Sequence, residues 1–168
     1  PPDRWARPRA ARTSLARRRS AHYGRGMKIS DIVRHKGDSV VTVRSDATVK
    51  DLLALLAEHK IGAIVVSDSD GSVDGIVSER DVVRHLHSGG AQVLDGTVGR
   101  IMTRDVHTCT TDDDLTDLAG QMTERRIRHV PVVNDGKLAA IVSIGDVVKS
   151  RIDTLQAEAA QLRDYIQG

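Results

Sequence analysis

Two short segments of this chain place a serine three residues ahead of an aspartate: Ser78-Glu79-Arg80-Asp81 and Ser143-Ile144-Gly145-Asp146. A carboxylate so placed can accept hydrogen bonds from both hydroxyls of a ribose, with the serine as a third contact. The same spacing is also a helix-capping device, in which serine and carboxylate satisfy the first backbone donors of a helix. On spacing alone both readings stand. A second pair with chemical potential is Arg128-His129, which leads into Val130-Pro131-Val132-Val133. The planar, permanently charged guanidinium matches phosphate oxygens, and an imidazole can add a donor. The bland alternative is a solvated strand-edge charge beside a packed histidine.

Motifs for covalent or phosphoryl chemistry are absent. The sequence has no G-x-S-x-G elbow, no Walker A loop and no G-x-G-x-x-G fingerprint. His85 and His87 are two apart on an expected helix and so point to different faces, which argues against a metal site. Cys109 is the only cysteine, so no intrachain disulfide or cysteine-based zinc cluster forms, as suits a reducing compartment. It falls in an expected strand and reads as a small core residue.

The elements that position these residues are built almost without aromatics. There is no Phe, one Trp and two Tyr in 168 residues, so the core is made of Val, Ile, Leu and Ala. No apolar run reaches the roughly 18 residues of a membrane span. Residues 1–26 hold eight arginines against Asp3 alone, while the remainder is mildly acidic, which argues against a nucleic-acid-binding body. These 26 residues lack apolar periodicity and read as a disordered tail. Their Arg-rich, acid-poor composition fits an upstream start-site artefact ahead of Met27, a mitochondrial transit peptide or a basic binding arm. The expected compartment is the cytoplasm, or the mitochondrial matrix if the tail is a transit peptide.

An internal repeat organises the rest. Val49, Leu52, Leu53 and Leu56 follow helical spacing from Thr48, with Thr48 and Asp51 as a capping box. Leu115, Leu118, Ala119 and Met122 repeat the pattern from Asp114, 66 residues on. Each helix is followed by two β-branched runs around a glycine turn, at Asp70-Gly71 and Asp135-Gly136, and then by Ser-x-x-Asp-Val-Val. A short strand is expected before each helix, at Val40–Val43 and Val106–Cys109. The order is β-α-β-β-α, twice, giving an α/β (α+β) fold of two units sharing a core by a pseudo-two-fold. The division is a tail at 1–26, one repeat at 27–97 and a second at 98–168.

Three stretches carry a family resemblance: Gly75-Ile76-Val77-Ser78-Glu79-Arg80-Asp81, its partner Ala140-Ile141-Val142-Ser143-Ile144-Gly145-Asp146, and Arg126-Ile127-Arg128-His129-Val130-Pro131-Val132-Val133. Together they resemble the cystathionine-β-synthase-like (CBS) repeats, over residues 27–168. The second copy has Ala140 where the first has Gly75. The resemblance implies a disc-like module with two clefts for adenosine ligands, AMP foremost and ATP or NAD(H) as alternatives, with no metal. It assigns Ser78 and Asp81, and Ser143 and Asp146, to the two riboses. Arg128 and His129 would serve the phosphate in the cleft of Ser78 and Asp81. The cleft of Ser143 and Asp146 would face Gly62 and Ala63, which carry no charge. For the adenine, the matched positions are Ala47, Ile61 and Ile76 in the first cleft and Asp113, Ile127 and Ile141 in the second.

Beyond Asp146 no Pro or Gly occurs before Gly168, and Val148, Ile152, Leu155, Ala159, Leu162 and Ile166 form a heptad stripe. The stripe must cover the module's own body or a second subunit, and Met27–Val33 is a short amphipathic turn able to lie beside it. A regulatory sensor without chemistry of its own is the leading reading, as a homodimer acting on an unidentified effector, with no nucleic acid and no membrane. A ligand-independent dimerisation and docking scaffold is the alternative.

Overall fold

A computed structural model describes residues 27–36 and 40–167; the expectations for the Arg-rich tail lie outside them. The chain runs α1 (Ile29–Lys36), β1 (Thr42–Val43), α2 (Val49–His59), β2 (Ala63–Val66), β3 (Gly75–Ser78) and α3 (Glu79–Gly89). Two 3-10 turns follow, Ala91–Asp95 and Val98–Arg100, then α4 (Leu115–Arg125), β4 (His129–Asn134), β5 (Lys137–Ser143) and α5 (Ile144–Gln167). The fold is α+β.

The helices start where capping chemistry allows. Thr48 accepts from the Asp51 amide at 3.1 Å and Asp51 reaches back to the Thr48 amide at 3.2 Å. Asp114 accepts from the Thr116 amide at 2.7 Å. Both helices end on a left-handed residue, Lys60 (φ 53°) and Arg126 (φ 55°), which turns the chain sharply into the next strand.

In the first repeat the sheet order is β1-β2-β3, with β1 parallel to β2 and β2 antiparallel to β3. In the second repeat β4 and β5 form a two-stranded antiparallel ladder. Its tight turn is Asp135-Gly136, where both residues take positive φ, as a two-residue hairpin of the primed type requires. The strand expected at Val106–Cys109 shrinks to one parallel bridge between Cys109 and Val132. The Cys109 amide donates to the Pro131 carbonyl at 3.1 Å and the Val133 amide to the Cys109 carbonyl at 2.8 Å. The next rung would need an amide from Pro131, which has none. Val65 fills that place in the first repeat, and there the ladder continues over Thr42 and Val43.

Two apolar clusters form the core, and each takes a segment from across the repeat boundary. One joins Leu115, Leu118, Met122, Val130 and Val142 to Ile29 and Ile32 of α1. The other joins Val49, Leu52, Ile64 and Val77 to Val98 and Ile101. A sequence division at 97/98 therefore does not coincide with the division of the cores. Backbone bonds fix the exchange. Ile29 donates to the Asp113 carbonyl at 3.1 Å, and Leu115 to the Met27 carbonyl at 2.9 Å. Val98 donates to the Ala47 carbonyl, and Ile76 and Thr103 exchange a pair of bonds, all at 2.9 Å.

The start of α5 packs on the second core through Val147, and Met27 meets Ser150 there. The heptad stripe beyond does not cover the body. Val148, Ile152 and Leu155 are about half exposed, and Leu162 and Ile166 more so.

Candidate functional site

Both Ser-x-x-Asp motifs sit where a strand passes directly into a helix. Ser78 ends β3 and caps α3 in an extended conformation; Ser143 ends β5 and leads into α5. In the first motif Asp81 Oδ2 accepts from the Ser78 amide at 2.9 Å and from Ser78 Oγ at 2.6 Å. In the second, Asp146 Oδ2 accepts from the Ser143 amide and from Ser143 Oγ, both at 2.7 Å, and the Asp146 amide donates to Ser143 Oγ at 3.2 Å. Capping is thus realised at both. It occupies one carboxylate oxygen, and among the described residues no protein donor reaches Oδ1 of either aspartate. Both side chains are half-buried.

Sheet register brings the other predicted residues beside them. Ala63 pairs with Ser78, and His129 pairs with Ser143. The Glu79 amide donates to the Gly62 carbonyl at 3.1 Å, and the Ile144 amide to the Arg128 carbonyl at 2.9 Å. A methyl on Gly62 would lie 3.6 Å from His129 Cε1, across the seam between repeats, and 3.8 Å from Glu79 Oε2 of its own repeat. His129 is therefore central. Its burial, and then the charge of Lys36, hold its pKa below the usual imidazole value, against the opposing pull of Asp146 and Glu79.

Arg128 lines a cavity of about 330 Å³ shared by both repeats. Arg80, from the first turn of α3, faces it together with Arg126, and Met122, Ile127 and Ile144 supply apolar wall. Three guanidinium groups beside an aliphatic wall suit an amphipathic anion. Ser78 and Asp81 do not line this cavity, although Arg80 stands between them in sequence.

The positions matched to the adenine divide. Ala47 and Ile61 pack at the edge of the first core, Ile76 is half-buried in β3, and Ile127 joins cavity and second core. Ile141 is half-buried in β5, but Asp113 is exposed and holds backbone, accepting from the Thr110 amide at 2.7 Å through its carboxylate.

One residue escaped sequence reasoning. Lys36, the last residue of α1, donates to Asp146 Oδ2 at 2.6 Å and to the Ile141 carbonyl at 2.9 Å. Burial pushes the Asp146 carboxyl up, but the hydrogen bonds from Lys36 and Ser143 and the Lys36 charge outweigh it and hold the group below the usual carboxylate range. Lys36 lies more than a hundred residues before Asp146, and only the exchange of α1 onto the second core joins them.

Cys109 is buried, and burial pushes its thiol up to about 12, which keeps it protonated as a small residue of the second core. No group of three or more metal-ligating side chains occurs among the described residues. No helix among them is long and apolar enough to cross a membrane.

Known proteins share this architecture. The chain is similar to a CBS-domain containing protein from Agrobacterium tumefaciens, at 44% identity and a TM-score of 0.72, over 74% of this chain and 99% of that one. It is 34% identical to the mitochondrial CBS domain-containing protein CBSX3 of Arabidopsis thaliana, over 83% of this chain and 72% of the relative. The CBS domain pair of protein MJ0100, solved in complex with 5'-methylthioadenosine and S-adenosyl-L-methionine, matches at 26% identity and a TM-score of 0.65, over 73% of this chain and 98% of that one. The CBS domain profile matches residues 29–88 and again 98–153. With two such repeats exchanging segments around a shared seam, this chain belongs to the CBS-domain family, whose paired repeats are regulatory modules.

Proposed function

We propose that this CBS pair is a regulatory sensor of adenine nucleotides, AMP first and ATP or NAD(H) as alternatives, without catalysis of its own. The observation that carries the reading is the cavity between the repeats, where Arg80, Arg126 and Arg128 face an aliphatic wall. Support comes from the unused Oδ1 of Asp81 and Asp146, each at a strand-to-helix junction able to take a ribose diol, and from the adenosine ligands held by the MJ0100 pair. Ser78 and Asp81 hold one ribose, with Arg128 and His129 toward its phosphate; Ser143 and Asp146 hold the other.

Calorimetric titration of AMP and adenosine into wild type and Arg128→Ala tests this. A hydrogen bond to a charged group contributes about 1.5–3 kcal/mol, so AMP affinity falls roughly tenfold to a hundredfold. Adenosine, lacking the phosphate, loses far less. Equal losses for both ligands remove Arg128 from the phosphate.

A second reading, a ligand-independent scaffold, is favoured by the uncovered heptad stripe of α5. The two are compatible if the sensor is a homodimer whose α5 stripes pack together. Sedimentation at micromolar concentration gives a dimer for wild type and a monomer for Leu155→Lys; a monomeric wild type ends the dimer proposal. The proposed compartment is the cytoplasm, and the mitochondrial relative together with the Arg-rich residues 1–26 supports the matrix as the alternative.

A further inference from the structure

The two ribose carboxylates are not in the same state. Asp81 Oδ2 takes only the two capping donors of Ser78. Asp146 Oδ2 takes the two from Ser143 and also the ammonium of Lys36. The ion pair is only partly covered, with side-chain exposures of 34% for Lys36 and 22% for Asp146. A second anchor, the Ile141 carbonyl, holds the ammonium against β5. This carbonyl belongs to a residue matched to the adenine site, so the ammonium bridges the places meant for base and ribose.

We propose that Lys36 is a tethered occupant of the second cleft that selects for phosphorylated nucleosides. The inference rests on the nucleotide-binding reading above and deepens it. A carboxylate offers about four lone-pair sites, and at Asp146 three donors already converge on one oxygen. Oδ1 stays open to a ribose diol, but a nucleoside that seats its base along Ile141 meets the ammonium, which holds both Asp146 Oδ2 and the Ile141 carbonyl. An uncharged nucleoside that displaces the ammonium gives up this charge-assisted bond and offers no ionic replacement. A nucleotide offers a replacement, because its phosphate can take the released ammonium in a charge-assisted hydrogen bond. The second cleft thereby gains a phosphate-binding cation from another part of the chain. Lys36 is a specificity-determining residue in this account, and Asp146 is its resting partner.

The test isolates the second cleft by using Asp81→Ala as background. AMP and adenosine are titrated by calorimetry into this variant alone, with Lys36→Ala and with Lys36→Arg. In the background, AMP binds more tightly than adenosine. Adding Lys36→Ala weakens AMP about tenfold and leaves adenosine unchanged or tighter, so the AMP-to-adenosine ratio falls tenfold or more. Lys36→Arg restores most of the ratio. Circular dichroism melts accompany each variant, so that a fall in both affinities with loss of fold is recognised and the Lys36→Gln variant replaces Lys36→Ala. A ratio unmoved by removal of Lys36, with nucleotide still bound, overturns the role of Lys36 alone. Failure of wild type to bind AMP or adenosine at all overturns the nucleotide reading and this inference with it.

Discussion

The two repeats use one pattern to reach different endings, and the edges of β3 and β5 show how. At β3 the outer edge is covered by backbone: Ile76 and Thr103 exchange two hydrogen bonds, and Met102 lies over Gly75. At β5 the corresponding edge receives a side chain, with Lys36 donating to the Ile141 carbonyl. The first repeat is thus edged by backbone, whereas the second meets a side-chain charge at the same place. A duplicated motif keeps its strands and helices, while the segments that reach it from elsewhere decide what each copy can do.

Breaking the exchange has the largest expected effect. Ile29 is fully buried in the second core although it stands at the start of the first repeat. Ile29→Ala is expected to cost about 2–5 kcal/mol, read by urea unfolding, with hydrogen exchange showing greater loss of protection in β4 and β5 than in β2 and β3. A cost below about 1 kcal/mol would mean that α1 is peripheral.

Next comes the contrast between Gly75 and Ala140. A methyl at Gly75 would lie 2.6 Å from Met102 Sδ and 3.1 Å from the Thr103 carbonyl oxygen. Gly75→Ala is therefore overpacked and costs about 1–3 kcal/mol, partly relieved by Met102→Ala. The reverse change, Ala140→Gly, only loosens a strand, at about 0.5–1 kcal/mol. Equal thermal shifts for the two would show that the crossing chain gives way freely.

The carboxylates sharpen the comparison further. Asp146→Asn is expected to destabilise by about 1 kcal/mol more than Asp81→Asn, between the ranges for exposed and buried ion pairs. The pH dependence has a defined sign. The folded Asp146 carboxyl titrates below its unfolded value. Its stabilisation is present above about pH 4 and is lost as pH falls through and below that value. Acid melts of Asp146→Asn should show a shallower limb there.

The smallest effect belongs to His129, which faces Lys36, Arg128, Asp146 and Glu79. Its folded pKa is lowered, so the unfolded chain takes up a proton first as pH drops below about 6.5. Stability is full above that value and declines below it; His129→Gln should flatten that decline in melts between pH 7.5 and 5.5.

Much of the fold was legible because local rules carried it. The capping box at Thr48 and Asp51, the helical spacing of Leu115, Leu118 and Met122, and the Asp135-Gly136 turn are all satisfied within a few residues of chain. The strand expected at Val106–Cys109 failed for a reason visible only in the partner, the missing amide of Pro131. Residue types singled out Ser78, Asp81, Ser143, Asp146 and Arg128, and strand register fixed their neighbours. Lys36 was beyond reach, since nothing local to a lysine at a helix end says which carboxylate it will meet. The place of α1 on the second core had to come first.

That exchange governs how the molecule comes into being. The second core cannot close until residues beyond Val142 exist, yet it must keep Ile29 and Ile32 in reserve from the beginning of the patterned sequence. The first core waits only for Val98 and Ile101. During vectorial synthesis the first repeat can therefore mature while α1 stays exposed, and the last step is closure of a loop spanning nearly the whole body. Contacts so distant in sequence slow folding. Once formed, they tie the second core to the opposite end of the chain, so that it cannot hold without α1.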